Sequence, residues 1–370
     1  MATGESALLA TNRFASANPQ SSANLTPSFH RMKLLHYQLG SHGGAEYFFL
    51  QLVNALHQRG VEQKVVIGPQ RSWRSQLPAE VEVVSQTKYR SLSVDRITQP
   101  LRINRLIKRW RPNALLSWMM RGARMLPANG ETRKFARIGD MEPHLGDYAH
   151  ADTLVCVTPV VEEHVRQLGW KGSTEVISNF TRDELVSPID RRLVSTPVDA
   201  PVLCTLARLV PGKGVDLMIR SLCNLPNVHL WIVGEGKEES ALRRLAQDLF
   251  VSDRTHFLGW KNDPRPYLAS ADAFGLASRK EALGNVVLEA WAQGTPVIST
   301  RTDGPNWLIT DGLNGRLVDI DDEIQFANAV AETLRDQQAR KRMTHHGFLK
   351  LRQEFGKQQV VDRYLEVLFP

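Results

Sequence analysis

Two carboxylates with seven residues between them, Glu281 and Glu289, bracket a loop and a helix start in the stretch 279–297, RKEALGNVVLEAWAQGTPV. Gly284 permits an unusual backbone turn, Asn285 is a candidate cap, and the spacing predicts a helix over Val286–Gln293. Gly294 and Pro296 end that helix, and residues 296–300 (PVIST) read as a buried strand. A helix start without a side-chain cap presents free N–H groups and partial positive charge, which suits a phosphate or diphosphate. Leu283, Gly284, Asn285 and Val286 supply that backbone here. A carboxylate in such company repels phosphate, so Glu281 is better suited to accept hydrogen bonds from hydroxyls. Hydroxyls beside phosphate describe a nucleotide sugar.

A second cluster lies upstream, where the strand 201–207 (PVLCTLA) runs into the loop 208–214, RLVPGKG. Arg208 and Lys213 place two cations on one loop at the mouth of a cleft. Breaking a sugar–phosphate bond builds charge on the departing oxygens, so fixed cations there favour the transition state. Residues 228–236 (VHLWIVGEG) form a buried strand ending at Gly234, and 256–259 (HFLG) close on Gly259 before Trp260. Short helices are expected at 215–222, 237–250 and from Pro266 to Ser270, with a strand at 273–278.

Something must hold the other wall of the cleft. Lys33–Gln38 reads as a strand, 41–44 (SHGG) as a loop carrying Gly43 and Gly44, 45–59 as an amphipathic helix and 63–68 as a second strand. That order opens a doubly wound parallel sheet, whose ligands gather at the carboxyl ends of its strands. The loop is not GxGxxG, so no dinucleotide fingerprint is present. Further strands are expected at 114–118, 134–138, 152–158 and 175–179, with a helix at 159–169. Asp140 and His144 follow the strand at 134–138. Residues 181–201 turn polar and carry Pro188, Pro197 and Pro201, which marks the hinge.

The organisation expected is therefore α/β with two Rossmann-like domains facing a cleft. An extension at 1–31 reads as disordered, with Met32 a candidate start; the domains are 32–195 and 196–350, and 351–370 is a terminal crossover helix. Asp311–Gly312 and Asn314–Gly315 read as a hairpin turn closing the second domain, 324–338 as a helix and 353–369 as the last helix.

Composition narrows the classes. At 370 residues two cores are expected, and 42% apolar with 23% charged residues is ordinary for a soluble protein. No apolar run reaches the ~18–20 residues a bilayer span needs, and no secretory signal is evident. Cys156, Cys204 and Cys223 lack metal-like spacing and read as buried free thiols of a reducing compartment. The net charge of +7 is uneven: residues 31–195 hold 24 Lys and Arg against 16 Asp and Glu, a net of +8, whereas 196–370 are near neutral. Residues 95–111 carry Arg102, Arg105 and Arg109 around an apolar side, as a basic amphipathic helix resting on an anionic surface would. An ordinary surface helix with extended arginines fits the same pattern.

Glu281-x7-Glu289 followed by GTPV, the loop RLVPGKG, Gly43–Gly44–Ala45–Glu46, and Asp303–Gly304–Pro305 with Trp307–Leu308–Ile309 together resemble the retaining glycosyltransferases of family 4. The wording around LGNVVLEAWAQGTPV is similar to that of bacterial lipopolysaccharide core transferases. The resemblance covers 32–370 and is strongest over 201–312. It implies the GT-B fold and retaining, metal-independent transfer of a mannose or glucose. The donor would be a nucleoside-diphosphate sugar, GDP-mannose or UDP-glucose, with no separate cofactor. It also implies Arg208, Lys213 and Glu281 as catalytic residues, Glu281 lying by the donor sugar. Gly43, Gly44, Gly234, Gly259, Leu283–Val286 and Glu289 would bind the donor, with Glu289 on the ribose. Asp140, His144, Arg102, Arg105 and Arg109 would face the acceptor. This chain departs from the pattern at Gly139, where many relatives carry histidine, and at Phe180, where glycine is usual.

The expected partners are the nucleotide sugar and an anionic glycolipid, with contact at the cytoplasmic face of an inner membrane and no nucleic acid. An exopolysaccharide lipid-linked precursor is the alternative acceptor. A nucleotide-sugar epimerase would need an acid–base set in the first domain that is not found. A nucleic-acid-binding module would need aromatic–basic interleaving and would leave the second-domain motif unexplained.

Overall fold

Two parallel sheets organise the protein, whose computed structural model describes residues 32–370 apart from 41–42, 69–70 and 86–94. The extension at 1–31, and Ser41 and His42 of the first glycine loop, lie outside the described residues.

The first sheet contains β1 (Lys33–Gln38), β2 (Glu62–Ile67), β3 (Glu82–Ser85), β4 (Ala114–Trp118), β5 (Arg133–Ile138), β6 (Thr153–Cys156) and β7 (Ser173–Val176). Their order is β3-β2-β1-β4-β5-β6-β7. Its helices are α1 (Gly44–Gln58), α2 (Asp95–Trp110), α3 (Met119–Ala123) and α4 (Pro159–Gln167). The second sheet contains β8 (Val202–Leu206), β9 (His229–Val233), β10 (Thr255–Gly259), β11 (Ala273–Leu276), β12 (Val297–Thr300) and β13 (Arg316–Val318), ordered β10-β9-β8-β11-β12-β13. With it go α5 (Val215–Ser221), α6 (Glu239–Asp248), α7 (Arg265–Ser270), α8 (Asn285–Ala292), α9 (Asp303–Leu308), α10 (Glu323–Arg335) and α11 (Gln337–Glu354). The chain ends in α12 (Lys357–Leu368).

Strand order reverses beside β1 in one sheet and beside β8 in the other, which places a ligand crevice at the carboxyl end of each. Helices cover both faces, so central strands such as β4 (ALLSW) and β8 (VLCTL) are buried at every residue. His36 on β1 sits inside this core between Gln63 Oε1 at 3.0 Å and the indole N–H of Trp118 at 3.3 Å. Burial pulls its pKa down to about 4, so the ring is a neutral packing element.

The final helix packs back on the first sheet. Val360, Val361, Tyr364, Val367 and Leu368 of α12 are buried in one cluster with Leu34, Phe48 and Leu52, and Arg59, just past the end of α1, meets Asp362 at 2.5 Å. Phe180, standing where glycine was expected, fills the same cluster edge-to-face on Phe48 at 5.2 Å between ring centres.

Four expectations need correction. The helix α11 was not foreseen: its buried stripe is only Met343, Gly347 and Leu351, too sparse to read as a period. It nevertheless packs closely, because a Cβ on Gly347 would fall 2.4 Å from Trp291 Cδ1, a contact only glycine allows. Asp336 caps it by accepting from the Ala339 N–H at 2.9 Å, which also ends α10 at Arg335 rather than 338. The segment 311–315 is a tight turn feeding β13, which pairs parallel with β12, so no hairpin forms. The strand expected at 175–179 is instead Ser173–Val176, leaving Asn179 free to reach out of the sheet. Finally, Cys223 is exposed, whereas Cys156 and Cys204 are buried.

Candidate functional site

The loops at the carboxyl ends of β8, β9 and β11 are clamped together by their own backbones. Leu209 N–H donates to Glu235 O at 2.9 Å and Glu238 N–H returns to Leu209 O at 3.1 Å. Gly234 N–H donates to Gly259 O at 2.9 Å. A Cβ on Gly234 would lie 2.0 Å from Ala207 O, so this approach requires glycine. Arg279 fastens the third loop. It donates to Pro211 O at 2.6 Å and pairs with Asp216 at 2.8 Å and Asp321 at 2.7 Å, a set that raises its own pKa further.

Within this frame Lys213 Nζ meets Glu281 Oε2 at 2.5 Å, and Ser278 Oγ donates to the same oxygen at 3.2 Å. The Glu281 carbonyl accepts from Gly304 N–H at 2.8 Å, which fixes the residue from the other side. Lys213 and Glu281, foreseen as separate elements, are one ion pair here. Arg208 is exposed, and its side chain makes no hydrogen bond or ion pair among the described residues.

Beyond Glu281 the chain turns through Gly284 in the left-handed region, φ 84°, and enters α8 with no side-chain cap. Asn285 is thus the first helical residue and not the expected cap. Its side chain is turned away: Asn285 Oδ1 accepts from Asn179 Nδ2 at 2.6 Å. Leu283 is buried and Val286 half-buried. The first domain comes close here. A Cβ on Gly44 would sit 3.4 Å from Asn285 Nδ2, and Thr158 Oγ1 donates to Ala282 O at 3.3 Å. Gly43, at φ 153°, immediately precedes α1.

Glu289 lies on the next turn of α8, half-buried. Burial pushes its carboxyl up to about 7, against the pull of Arg182, with Asp263 raising it further and Arg265 opposing. Sequence reasoning missed this surround. Arg182 lies in the segment between the domains, reaches Asp263 at 3.3 Å and stacks 5.6 Å from the Tyr47 ring of α1. Arg265 pairs with Asp263 at 2.8 Å. Only the polar hinge pointed to Arg182, and nothing in the sequence joined it to Glu289.

Replacing Glu289 by glutamine tests that environment. Glu289 is protonated in folded and unfolded chains below the ordinary value of 4.5; between there and about 7 the unfolded chain ionises while the folded one stays neutral. Wild-type stability therefore falls relative to the glutamine variant as pH rises through that window. The variant is expected to melt higher than wild type at pH 8 and equally at pH 4, while losing nucleotide affinity. Melting curves across pH check this; a constant offset at all pH values contradicts it.

No hydrogen bond or ion pair among the described residues joins the remaining expected residues to Lys213, Glu281 or Glu289. Asp140 is exposed and accepts from the Met141 N–H at 2.8 Å, and His144 is exposed. Arg102, Arg105 and Arg109 are exposed on α2 while Ile103 is buried beneath them. The indole N–H of Trp110 donates to Glu62, the first residue of β2, at 2.8 Å, so α2 ends at the amino edge of the sheet. Its arginines therefore lie on an exposed face along the later part of α2, toward that edge. Among the described residues no group of three or more His, Cys, Asp or Glu is arranged to hold a metal ion. Nor, among them, is any helix long and apolar enough to cross a membrane.

Comparison with known proteins follows the same outline. The family model described as glycosyl transferases group 1 matches residues 187–349. The chain is 42% identical over 337 residues to the lipopolysaccharide core biosynthesis glycosyltransferase LpsE of Rhizobium meliloti (strain 1021), covering 91% of this chain and 99% of the relative. To LpsD of the same organism it is 38% identical over 336 residues, covering 91% and 98%. The crystal structure of Anabaena HepE in complex with UDP and glucose superposes with a TM-score of 0.78 at 18% identity, covering 91% of this chain and 99% of that one. At that identity the likeness speaks for the fold alone.

Proposed function

The chain belongs to the group 1 glycosyltransferases, in the family of the lipopolysaccharide core biosynthesis enzymes LpsE and LpsD, and has the GT-B fold; from that premise we propose a donor, an acceptor and a mechanism. It moves a hexose, mannose or glucose, from a nucleoside-diphosphate sugar to the lipopolysaccharide core or a related anionic cell-envelope glycolipid. Transfer proceeds with retention and without a catalytic metal. GDP-mannose and UDP-glucose are the leading donors.

The observation that carries this reading is the Lys213–Glu281 pair at the uncapped start of α8, 2.5 Å between charged atoms. A diphosphate seated on the α8 N–H groups would compete with Glu281 for Lys213, leaving the carboxylate to accept from sugar hydroxyls. As the C1–O bond to the diphosphate breaks, Lys213 and Arg208 stabilise the charge on the leaving oxygens. The acceptor hydroxyl then bonds C1 on the face just vacated, which retains configuration, and its proton passes to the departing diphosphate. Glu289 holds the ribose hydroxyls. Cations of the protein take the part a metal would otherwise play.

The +8 of residues 31–195 and the exposed arginines of α2 support attachment to an anionic membrane surface near the acceptor. They do so as a docking stripe on the exposed face of α2. One experiment tests the whole reading: hexose transfer to core glycolipid in anionic vesicles, with chelator present, for wild type and the triple variant Arg102→Glu/Arg105→Glu/Arg109→Glu. Wild type is expected to turn over donor in chelator with retained anomeric configuration. The triple variant is expected to lose vesicle-borne transfer at low salt but keep turnover on soluble acceptor. Activity restored only by magnesium, or an inverted product, overturns the mechanism. Equal vesicle transfer by both proteins overturns the membrane stripe.

A further inference from the structure

Arg137 is a buried cation without a carboxylate. It lies on β5, is 2% exposed, and forms no ion pair among the described residues. Aromatic faces hold its charge instead: the guanidinium carbon is 4.9 Å from the Phe48 ring centre and 5.3 Å from that of Trp118. Nε donates to Tyr364 Oη of α12 at 3.1 Å, and Nη2 donates to Asn179 Oδ1. Asn179 in turn donates through Nδ2 to Asn285 Oδ1, on the first residue of α8. The remaining nitrogen, Nη1, lies 3.3 Å from where a Cβ on Gly139 would stand.

A continuous chain of side chains thus runs from the terminal helix through the first sheet to the helix start of the second domain. Burying a charge is costly, and an apolar residue of similar volume would serve stability as well or better. Stability alone therefore does not account for a guanidinium here. The far end of the chain suggests what it does. Asn285 is held across the domain boundary, so the first residue of α8 is tied to the first domain by a side-chain hydrogen bond.

We propose that Arg137 and Asn179 are positioning residues for the glycosyl transfer. Through Asn285 they fix the start of α8 against the first domain, and so set the position of the N–H groups on which the donor diphosphate is read to sit. A side chain at Gly139 would crowd Nη1 by a few tenths of an ångström. This inference rests on the reading that α8 holds the diphosphate.

The test compares Asn179→Ala, Asn285→Ala, the double variant and Arg137→Lys with wild type. The readouts are kcat and donor KM on the nucleotide sugar that wild type uses, and melting temperature with and without UDP or GDP. Asn179→Ala leaves Arg137 in its aromatic cage but removes one buried hydrogen bond from its guanidinium, so it is expected to melt below wild type while staying folded at the assay temperature. It should lose roughly 10²-fold in kcat, as a displaced helix start would cause, with donor KM little changed. Arg137→Lys should match it, because an ammonium cannot reach Tyr364 and Asn179 together. The double variant should lose no more than the worse single one, since both cut one link. Wild-type kcat in Asn179→Ala, losses that multiply in the double variant, or losses that merely follow melting temperature overturn the proposal. Those outcomes require an active wild type. If wild type turns over no nucleotide sugar and neither nucleotide raises its melting temperature, the functional reading itself fails and takes this inference with it.

Discussion

Replacing Lys213 with alanine is expected to lower donor turnover by roughly 10²–10³-fold while changing donor KM little. Lys213 and Glu281 side chains are 24% and 16% exposed, so the ammonium is neither sealed in the core nor free in solvent. Its pairing with Glu281 at 2.5 Å is a resting arrangement, and a pair this accessible contributes only about 0–1 kcal/mol to folding. The variant should accordingly melt close to wild type. On the mechanism proposed above, what it loses is the cation where leaving-group charge develops, an interaction stronger in the transition state than with bound donor. That asymmetry is why kcat should fall and KM should not. Arg208→Ala is expected to show the same split. Glu281→Gln, which keeps the hydrogen-bonding shape and removes the charge, separates sugar contact from loop tethering, because Gly304 N–H holds the Glu281 carbonyl in either case. Steady-state kinetics with the donor varied decide the matter. Near-wild-type turnover in Lys213→Ala removes this pair from the chemistry.

How much of this was legible beforehand differs between backbone and side chains. The parallel strands were readable because each is a short apolar run set off by glycine or proline, as at 201–207 and 273–278. The glycine loops were readable because close backbone approach demands them, as at Gly234 against Ala207 O. The helix α11 was not, since three buried positions in eighteen residues leave no period to detect. At the candidate site, Lys213 and Glu281 were read on separate loops of the second domain, and the structure pairs them. Their pairing depends on the Arg279 clamp, whose partners Asp216 and Asp321 are 63 and 42 residues away. Asn285 was misread as a cap for a related reason. A cap is a local inference, and the competing partner, Asn179, is 106 residues distant. The stripe of α2 is the opposite case. Its exposed face was correctly readable from period alone, but which edge of the sheet it ends on was not.

The same clamp makes Gly214 the most sensitive backbone position near the chemistry. It caps α5 in the left-handed region at φ 63°, ψ 24°, and an added Cβ would fall 1.8 Å from Ala277 O at the end of β11. Alanine would carry about 1–2 kcal/mol of left-handed strain, and relieving the overlap costs a further ~1–3 kcal/mol. The loop cannot yield freely, because Arg279 holds Pro211 O at 2.6 Å and its own N–H holds Gly212 O at 2.9 Å. The displacement therefore falls on Lys213, the adjacent residue, and draws it from Glu281. Gly214→Ala is expected to lose about 2–5 kcal/mol of stability by those terms and roughly 10²-fold in turnover, since an ångström of misplacement is enough for that. Gly212→Ala is the matched control: the same loop, no atom within 4 Å of its Cβ and no left-handed φ. It should be close to wild type in both respects. Denaturant midpoints and donor turnover measured side by side on the two variants check the argument. If they behave alike, contact between this loop and the end of β11 does not set the position of Lys213.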